Sequence, residues 1–479
     1  MENSITSVEP APNPEPDGKS AAAVHVPHYS YYALTVLTLV NFLNYIDRQM
    51  VPAVATSMQS DLHLSDTELG AMEAALLISF TVLAPLFGWL GDRWSRTKLM
   101  ASAAVVWSVA TGLTAIIDHS PLLPPGVRTH LPLVELPLAL SGVGLAICFV
   151  RAFVGIGESS YSTITPTLIA DYFPPQRRAT ALGVFQIAIP MGFALGLFIG
   201  AILDHFFGWR VAFMIVGLPG LITAGILWKL REPERGKTET QHAVSSRAAD
   251  REPWLRTCVR IFTTRDWLLS TAGYTALTFV LGAFATWAKK LLETDKHMGK
   301  LSSGIVIGAI TLVAGFVGSY GGGKLADRIA AKRSNGYFLV CAASSLLGIV
   351  PAVLALALHR PIFFLPAIFL VVAFLFANNA PFHAILVGSV PPSIRATAMA
   401  LNIVTIHLLG DVISRFGVGV LSDSLAVGRL PMLAGLARIV GLDPIREHLT
   451  SALLVVPLGL LVSALIFFWG GRGAAAKAA

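Results

Sequence analysis

Four charged residues in two short segments have the types and spacing for proton and anion chemistry. Asp47 and Arg48 stand side by side in NFLNYIDRQM (residues 41–50), and Arg151 and Glu158 lie seven residues apart in RAFVGIGESSYSTITP. Both segments sit inside long apolar runs. A charge in the middle of a membrane helix costs on the order of 3 kcal/mol, so it marks a candidate substrate or ion path. Adjacent helix residues point about 100° apart, so Asp47 and Arg48 must find partners on other helices or in a wet cavity. Arg151 and Glu158 are separated by about 10 Å along one helix face, too far for a simple mutual pair. A carboxylate in such a setting can alternate between an Arg-paired anion and a neutral acid, and proton coupling is expected of Asp47 and Glu158. Arg48 and Arg151 can hold those carboxylates or receive an anionic substrate group, with Asn41 and Asn44 as neutral donors nearby. The competing account is a static buried network that only fixes helix packing.

The second half of the chain is polar in a different way. Asn378 and His383 fall on one apolar run, and His407, Asp411 and Arg415 on the next. Asp411 and Arg415 are spaced i,i+4 and can pair with each other. The expected substrate-binding set is Arg48, Arg151, Asn44, Asn378, His383 and Arg415. Lys289 and Lys290, beside Trp287, read as snorkelling residues near a span end. Glu73 reads as an interfacial residue.

The elements that must position these groups are membrane spans. The 479 residues are 54% hydrophobic and 13% charged, with mean hydropathy +0.68. Soluble domains carry roughly twice that charged fraction. Twelve spans are predicted, at about 31–58, 69–90, 99–117, 136–170, 178–203, 209–230, 267–291, 302–326, 337–358, 362–390, 397–421 and 449–469. The even-numbered loops and the tails hold roughly twice the Lys and Arg of the odd-numbered loops, which puts both termini in the cytoplasm. The net charge of +7 is therefore a topology signal, and nucleic acid is not an expected partner. Residues 1–30 and 471–479 read as cytoplasmic tails, the first without the charged n-region and cleavage site of a signal peptide. Residues 231–266 read as a cytoplasmic linker whose PWLRTCVRIF stretch suits an interfacial helix. Cys148, Cys258 and Cys341 form no disulfide or metal spacing. No P-loop, zinc-type His spacing or nucleophile elbow is present, which disfavours an enzyme and ATP drive.

The linker divides the spans six and six, at 31–230 and 267–470, and the halves repeat. GWLGDRW (88–94) ends the second span and GKLADRI (323–329) the eighth, about 235 residues apart. PPQRRATAL (174–182) and PPSIRATAM (391–399) repeat about 217 residues apart. Gly88 and Gly323 would let a neighbouring helix approach, while Asp92, Arg93, Asp327 and Arg328 would clamp helix ends in one arrangement and release them in another. The bland alternative is that these charges merely set topology.

This pattern resembles the loop signature of the major facilitator superfamily, G-x-x-x-D-R-x-G-x-R-[RK]. Ser95 and Thr97 depart from it, and Arg96 is placed to compensate. The resemblance implies two six-helix halves that rock around a central site, an all-α membrane fold. Within the superfamily the chain is similar to the Spinster family of lipid transporters, on NYIDR (44–48) and on GIGESSYSTITPTLIADYFPPQRRATALGVFQIAIP (155–190). That likeness implies proton-coupled movement of lysophospholipid or sphingosine-1-phosphate-like substrates. It assigns function to Asp47, Arg48 and Glu158, with Arg151 as their partner. The alternatives are an organic anion symporter or a multidrug efflux transporter of the same superfamily, and in a different class a channel, which the two-fold repeat disfavours. No cofactor is expected, a proton gradient supplying the energy. The expected partners are the bilayer, protons and an amphipathic substrate, for a monomer in a cell membrane, with a bacterial inner membrane favoured.

Overall fold

The computed structural model describes residues 26–119, 123–130, 137–234, 254–391 and 394–476. The first half contains α1 (His28–Arg48), α2 (Met50–Leu62), α3 (Asp66–Arg93), α4 (Arg96–Thr114), α5 (Gly142–Tyr172), α6 (Pro175–Phe207) and α7 (Trp209–Lys229). A short helix, α8 (Trp254–Thr263), leads into the second half: α9 (Arg265–Thr294), α10 (Lys300–Ala330), α11 (Gly336–Ala357), α12 (Pro361–Ala377), α13 (Asn379–Gly388), α14 (Arg395–Ile406), α15 (Val412–Ala426), α16 (Pro431–Ile439), α17 (His448–Ala452) and α18 (Val455–Ala476). Ten of the described segments are long and apolar enough to cross a membrane. The first and third expected spans are not among them: one is broken between α1 and α2, and the other, α4, opens on Arg96 and Lys98.

Local chemistry sets several boundaries. Ser65 and Glu68 form a reciprocal capping box that starts α3, and Ser141 accepts the Gly144 amide to start α5. The fourth span therefore begins at Gly142 rather than at 136. Before it, Val127–His130 and Pro137–Leu140 pair as an antiparallel hairpin, so the fold is all-helical only apart from this ribbon. The first predicted span is two helices, because the chain leaves the helix at Gln49, directly after the charged pair. The tenth is divided between α12 and α13 at Asn378. In α8, Leu255 and Val259 are exposed.

Three buried apolar clusters hold the elements together. One is drawn from the first half alone, around Leu37, Trp107, Val154 and Leu168, and one from the second half alone, around Trp267, Leu277 and Phe467. The third joins the halves, bringing Met50, Val54 and Met72 against Trp287, Ile307 and Val418. The seam follows small residues. A β-carbon at Gly70 of α3 would come within 3.0 Å of Phe416 Cα on α15, and one at Gly419 of α15 within 3.0 Å of Thr67 Cα. Backbones this close admit only glycine.

A group of hydrogen bonds and ion pairs that join the halves lies toward one end and seals it. Lys290 pairs with Asp66, Ser422 Oγ donates to Asp66 Oδ2 at 2.6 Å, Thr56 donates to Glu293, and Lys300 Nζ donates to Ser57 Oγ at 2.7 Å. Asp423 of α15 accepts from the Asp66 and Thr67 amides at 3.1 and 2.7 Å and from the Thr67 hydroxyl at 2.5 Å. Lys289 and Lys290 are therefore buried and paired, Lys289 with Glu293, rather than snorkelling. Toward the Gly-Asp-Arg loops a groove of about 580 Å³ opens between α1 and α6, walled by Leu34, Thr38, Phe42, Val184 and Met191, with Tyr31 and Arg177 at its outer end.

Candidate functional site

The site begins with α1, which carries Asp47 and Arg48 to the middle of the molecule and then stops. Asp47 is fully buried and accepts from Trp107 Nε1 of α4 at 2.9 Å. Arg151 Nη1 of α5 stands 3.7 Å from the same carboxylate. Arg48 turns the other way, as the 100° step requires, and its Nε donates to Glu158 Oε2 of α5 at 2.5 Å. The two α5 groups thus serve different partners, as their spacing demands. Arg48 also lies over Phe80 and Tyr45, 4.4 and 5.1 Å from the ring centroids.

Glu73 of α3 extends the network across the molecule. Its Oε1 is 3.3 Å from Arg151 Nη2, and its Oε2 accepts from Arg415 Nη1 of α15 at 2.7 Å. A chain of groups, Trp107–Asp47–Arg151–Glu73–Arg415, therefore runs from α4 into the second half. This corrects the interfacial reading of Glu73, which is 3% exposed. Position alone could not reveal it, because a carboxylate seven residues into a span is interfacial unless a neighbouring helix supplies its cation. The expected Asp411–Arg415 pair does not form either. The helix widens into a π turn over His407–Asp411, where His407 Nδ1 meets Asp411 Oδ2 at 2.7 Å, and this leaves Arg415 to Glu73. Such π turns are frequent at functional sites. His407 stands edge-on to Phe80, the ring that carries Arg48.

The network is incompletely satisfied. Asp47 Oδ1, Glu158 Oε1, Arg151 Nε and Arg415 Nε are buried and have no hydrogen-bond partner among the described residues. A buried carboxylate oxygen without a donor is costly, and it is a natural place for a proton.

Other expected site residues lie apart. Asn44 is buried, and Asn41 Nδ2 donates to Phe185 O at 3.2 Å. Asn378 is buried at the α12–α13 break and donates to Phe374 O at 2.9 Å. His383 is exposed, with Nδ1 2.7 Å from Asn379 O and its ring edge-on to Tyr274 and Phe382. Neither joins the charge network. At the loops expected to gate, a β-carbon at Gly323 would meet Ala380 at 3.2 Å, a close approach. Gly88 has only ordinary contact with Thr163 at 3.6 Å, and Gly91 is the tighter position, at 3.1 Å from Ile164. Asp92 ends α3 beside Arg93, which stacks on Trp89 at 4.2 Å. Asp327 accepts from Tyr337 at 3.3 Å, and Arg328 follows it on α10. Arg96 is buried and binds Asp171 at 2.7 Å, Glu232 at 3.2 Å and Pro233 O at 3.2 Å, tying the ends of α4, α5 and α7 together.

A family model described as Major Facilitator Superfamily matches residues 37–415. Protein spinster homolog 1 of Mus musculus is 33% identical over 400 residues, 80% of this chain and 71% of that protein. The chain belongs to the Spinster family of the major facilitator superfamily. A sphingosine-1-phosphate transporter of Danio rerio is 32% identical over 397 residues, 80% of this chain and 74% of its own length. Protein spinster of Drosophila melanogaster is 31% identical over 391 residues, and the match spans only 60% of that protein. Among solved structures, a bacterial homolog to the human lysosomal transporter Spinster, inward-facing and unoccupied, superposes with a TM-score of 0.76 at 20% identity, covering 95% of this chain and 99% of that one. A D-xylose–proton symporter follows at 0.67 and 18% identity, covering 90% and 97%. These superpositions establish the fold. The Spinster family membership places the chain with multi-pass membrane transporters rather than with enzymes.

Proposed function

We propose that this Spinster-family chain is a proton-coupled transporter of amphipathic anions, of the lysophospholipid or sphingosine-1-phosphate class. It works by alternating access between two six-helix bundles, 31–230 and 267–470, within twelve spans whose termini face the cytoplasm of a cell with a bacterial-type inner membrane. The observation that carries this reading is the Glu73 carboxylate held between Arg151 of one half and Arg415 of the other, beneath the sealed end. An ion pair shared across the seam ties the charge state of the site to the arrangement of the halves. Asp47 and Glu158 are the proton carriers: each is buried beside an arginine and has one oxygen without a donor, so protonation releases that arginine. Arg48, carried on two rings and 14% exposed, is the headgroup receptor in this conformation. The apolar groove between α1 and α6 supports an acyl tail. Its inner end at Phe42 lies six residues before Arg48, about 9 Å along the helix, a reach suited to one molecule with a charged head and an apolar chain.

The test is proton movement in proteoliposomes, read with a trapped pH dye as lysophospholipids, sphingosine-1-phosphate, cationic drugs and hexuronates are added. The expected result is a lysolipid-dependent signal that Asp47→Asn and Glu158→Gln both abolish. A hexuronate signal alone would reassign the protein to organic anion symport. Radiolabelled lipid crossing without proton movement would remove the coupling.

A further inference from the structure

The pairing of Glu73 has a consequence for the state in which the sealed end opens. Each of its oxygens faces an arginine from a different half, Oε1 toward Arg151 at 3.3 Å and Oε2 toward Arg415 at 2.7 Å. Arg151 has a second acid, Asp47, within its own half. Among the described residues Arg415 has only Glu73, because Asp411 one turn earlier is taken by His407. The α3–α15 seam is closed by Gly70 against the Arg415–Phe416 backbone and Gly419 against Asp66–Thr67, so opening there must pull Glu73 from Arg415. Separation leaves Glu73 neutralised by Arg151. It leaves Arg415 as a bare guanidinium, anchored by the bond from Trp287 Nε1 to its carbonyl at 3.2 Å, facing the space that opens.

We propose that Glu73 is a resident substitute for the anionic head of the substrate: it occupies Arg415 while this end is sealed, and leaves Arg415 as the headgroup receptor when the halves part. The molecule then has two alternating anion sites, Arg48 in the conformation described and Arg415 in the opposite one. A substrate anion favours opening because it takes over the cation that Glu73 gives up. This rests on the rocking motion and the anionic substrate proposed above.

Spin labels at His63 and Val427, both exposed and at the sealed end, report its opening in full-length protein in liposomes with the native cysteines replaced. Glu73→Gln is expected to lengthen the distance distribution, and Glu73→Gln with Arg415→Gln to return it toward the parent. Inorganic phosphate is expected to lengthen it in the parent, with a half-saturating concentration raised about tenfold in Arg415→Lys, which keeps the charge but loses the forked donors. A Glu73→Gln distribution matching the parent, or a double variant matching the single one, overturns the proposal. So does a parent that ignores phosphate. Lysophosphatidylglycerol is the second probe: a response to phosphate but none to the lysolipid supports the anion site while overturning the lipid reading.

Discussion

At the scale of single residues, the charges do different work, and substitutions should separate them. Asp47→Asn keeps the shape and the bond from Trp107, so the protein should fold and bind substrate while losing at least about tenfold in proton-linked flux, equivalent to ~1.4 kcal/mol. Flux equal to the parent, with unchanged expression and monodispersity, would refute its role. Arg48→Lys should weaken binding of anionic lysolipids more than it slows turnover, because one ammonium cannot reproduce a guanidinium that both pairs with Glu158 and lies on Phe80 and Tyr45; steady-state uptake would show the change in KM. Asp47, Arg48, Arg151 and Glu158 were legible in the sequence because an ionisable residue in a twenty-residue apolar run is conspicuous. Glu73 was not, since its meaning depends on Arg415, more than three hundred residues away. The Asp411–Arg415 pair was a reasonable expectation from i,i+4 spacing. Instead His407, on the π turn that ends at Asp411, holds Asp411, and Glu73 of the other half holds Arg415.

At the scale of elements, the seam depends on bare backbone and the loop junctions on charge. Gly419→Leu should force α15 away from α3 and raise amide hydrogen exchange over residues 66–73. Gly417→Leu, two positions earlier with nothing within 4 Å, serves as its control and should change little. At the opposite end, Glu232 accepts from the Arg96 amide at 3.0 Å and from its guanidinium. Burial pulls the Glu232 carboxyl upward, but bonds from Ser95 and Arg96 outweigh it and hold its pKa below the usual glutamate value. The stabilisation is therefore present above the unfolded-state pKa and is lost as pH falls through the lower folded one. Melting of the detergent-solubilised protein should show an acid-side loss that Glu232→Gln removes. Ten of the twelve expected spans were legible from hydropathy, and the helix at Trp254–Thr263 from its amphipathic spacing. The Gln49 and Asn378 breaks were marked only by Pro52 and Pro381 three residues on, which have no N–H to donate to the carbonyls of Arg48 and Ala377, and membrane spans tolerate such prolines without breaking.

At the scale of the whole molecule, the two ends should respond in opposition. A cysteine at Thr35, exposed in the groove, should react with a water-soluble maleimide in the parent and become protected in Gly419→Leu, as one end closes when the other is wedged apart. Equal reactivity in both proteins would show that the ends move independently. The repeat in the sequence predicts two related halves, but it does not mark which end is sealed, since the same motifs recur in both halves. What favours the sealed one has a particular form at Asp423. The first amides of a helix need an acceptor, and α3 obtains one from Ser65 in its own half and another from a carboxylate borrowed from the other half. The local box keeps the helix start intact when the halves separate, so only the borrowed acceptor is at stake in each cycle. Asp423→Ala should thus leave the fold standing while tilting the conformational balance by about 1 kcal/mol, roughly fivefold in population. The helix start acts as a latch whose keeper belongs to the other bundle, with a release cost set separately from the stability of the parts it joins.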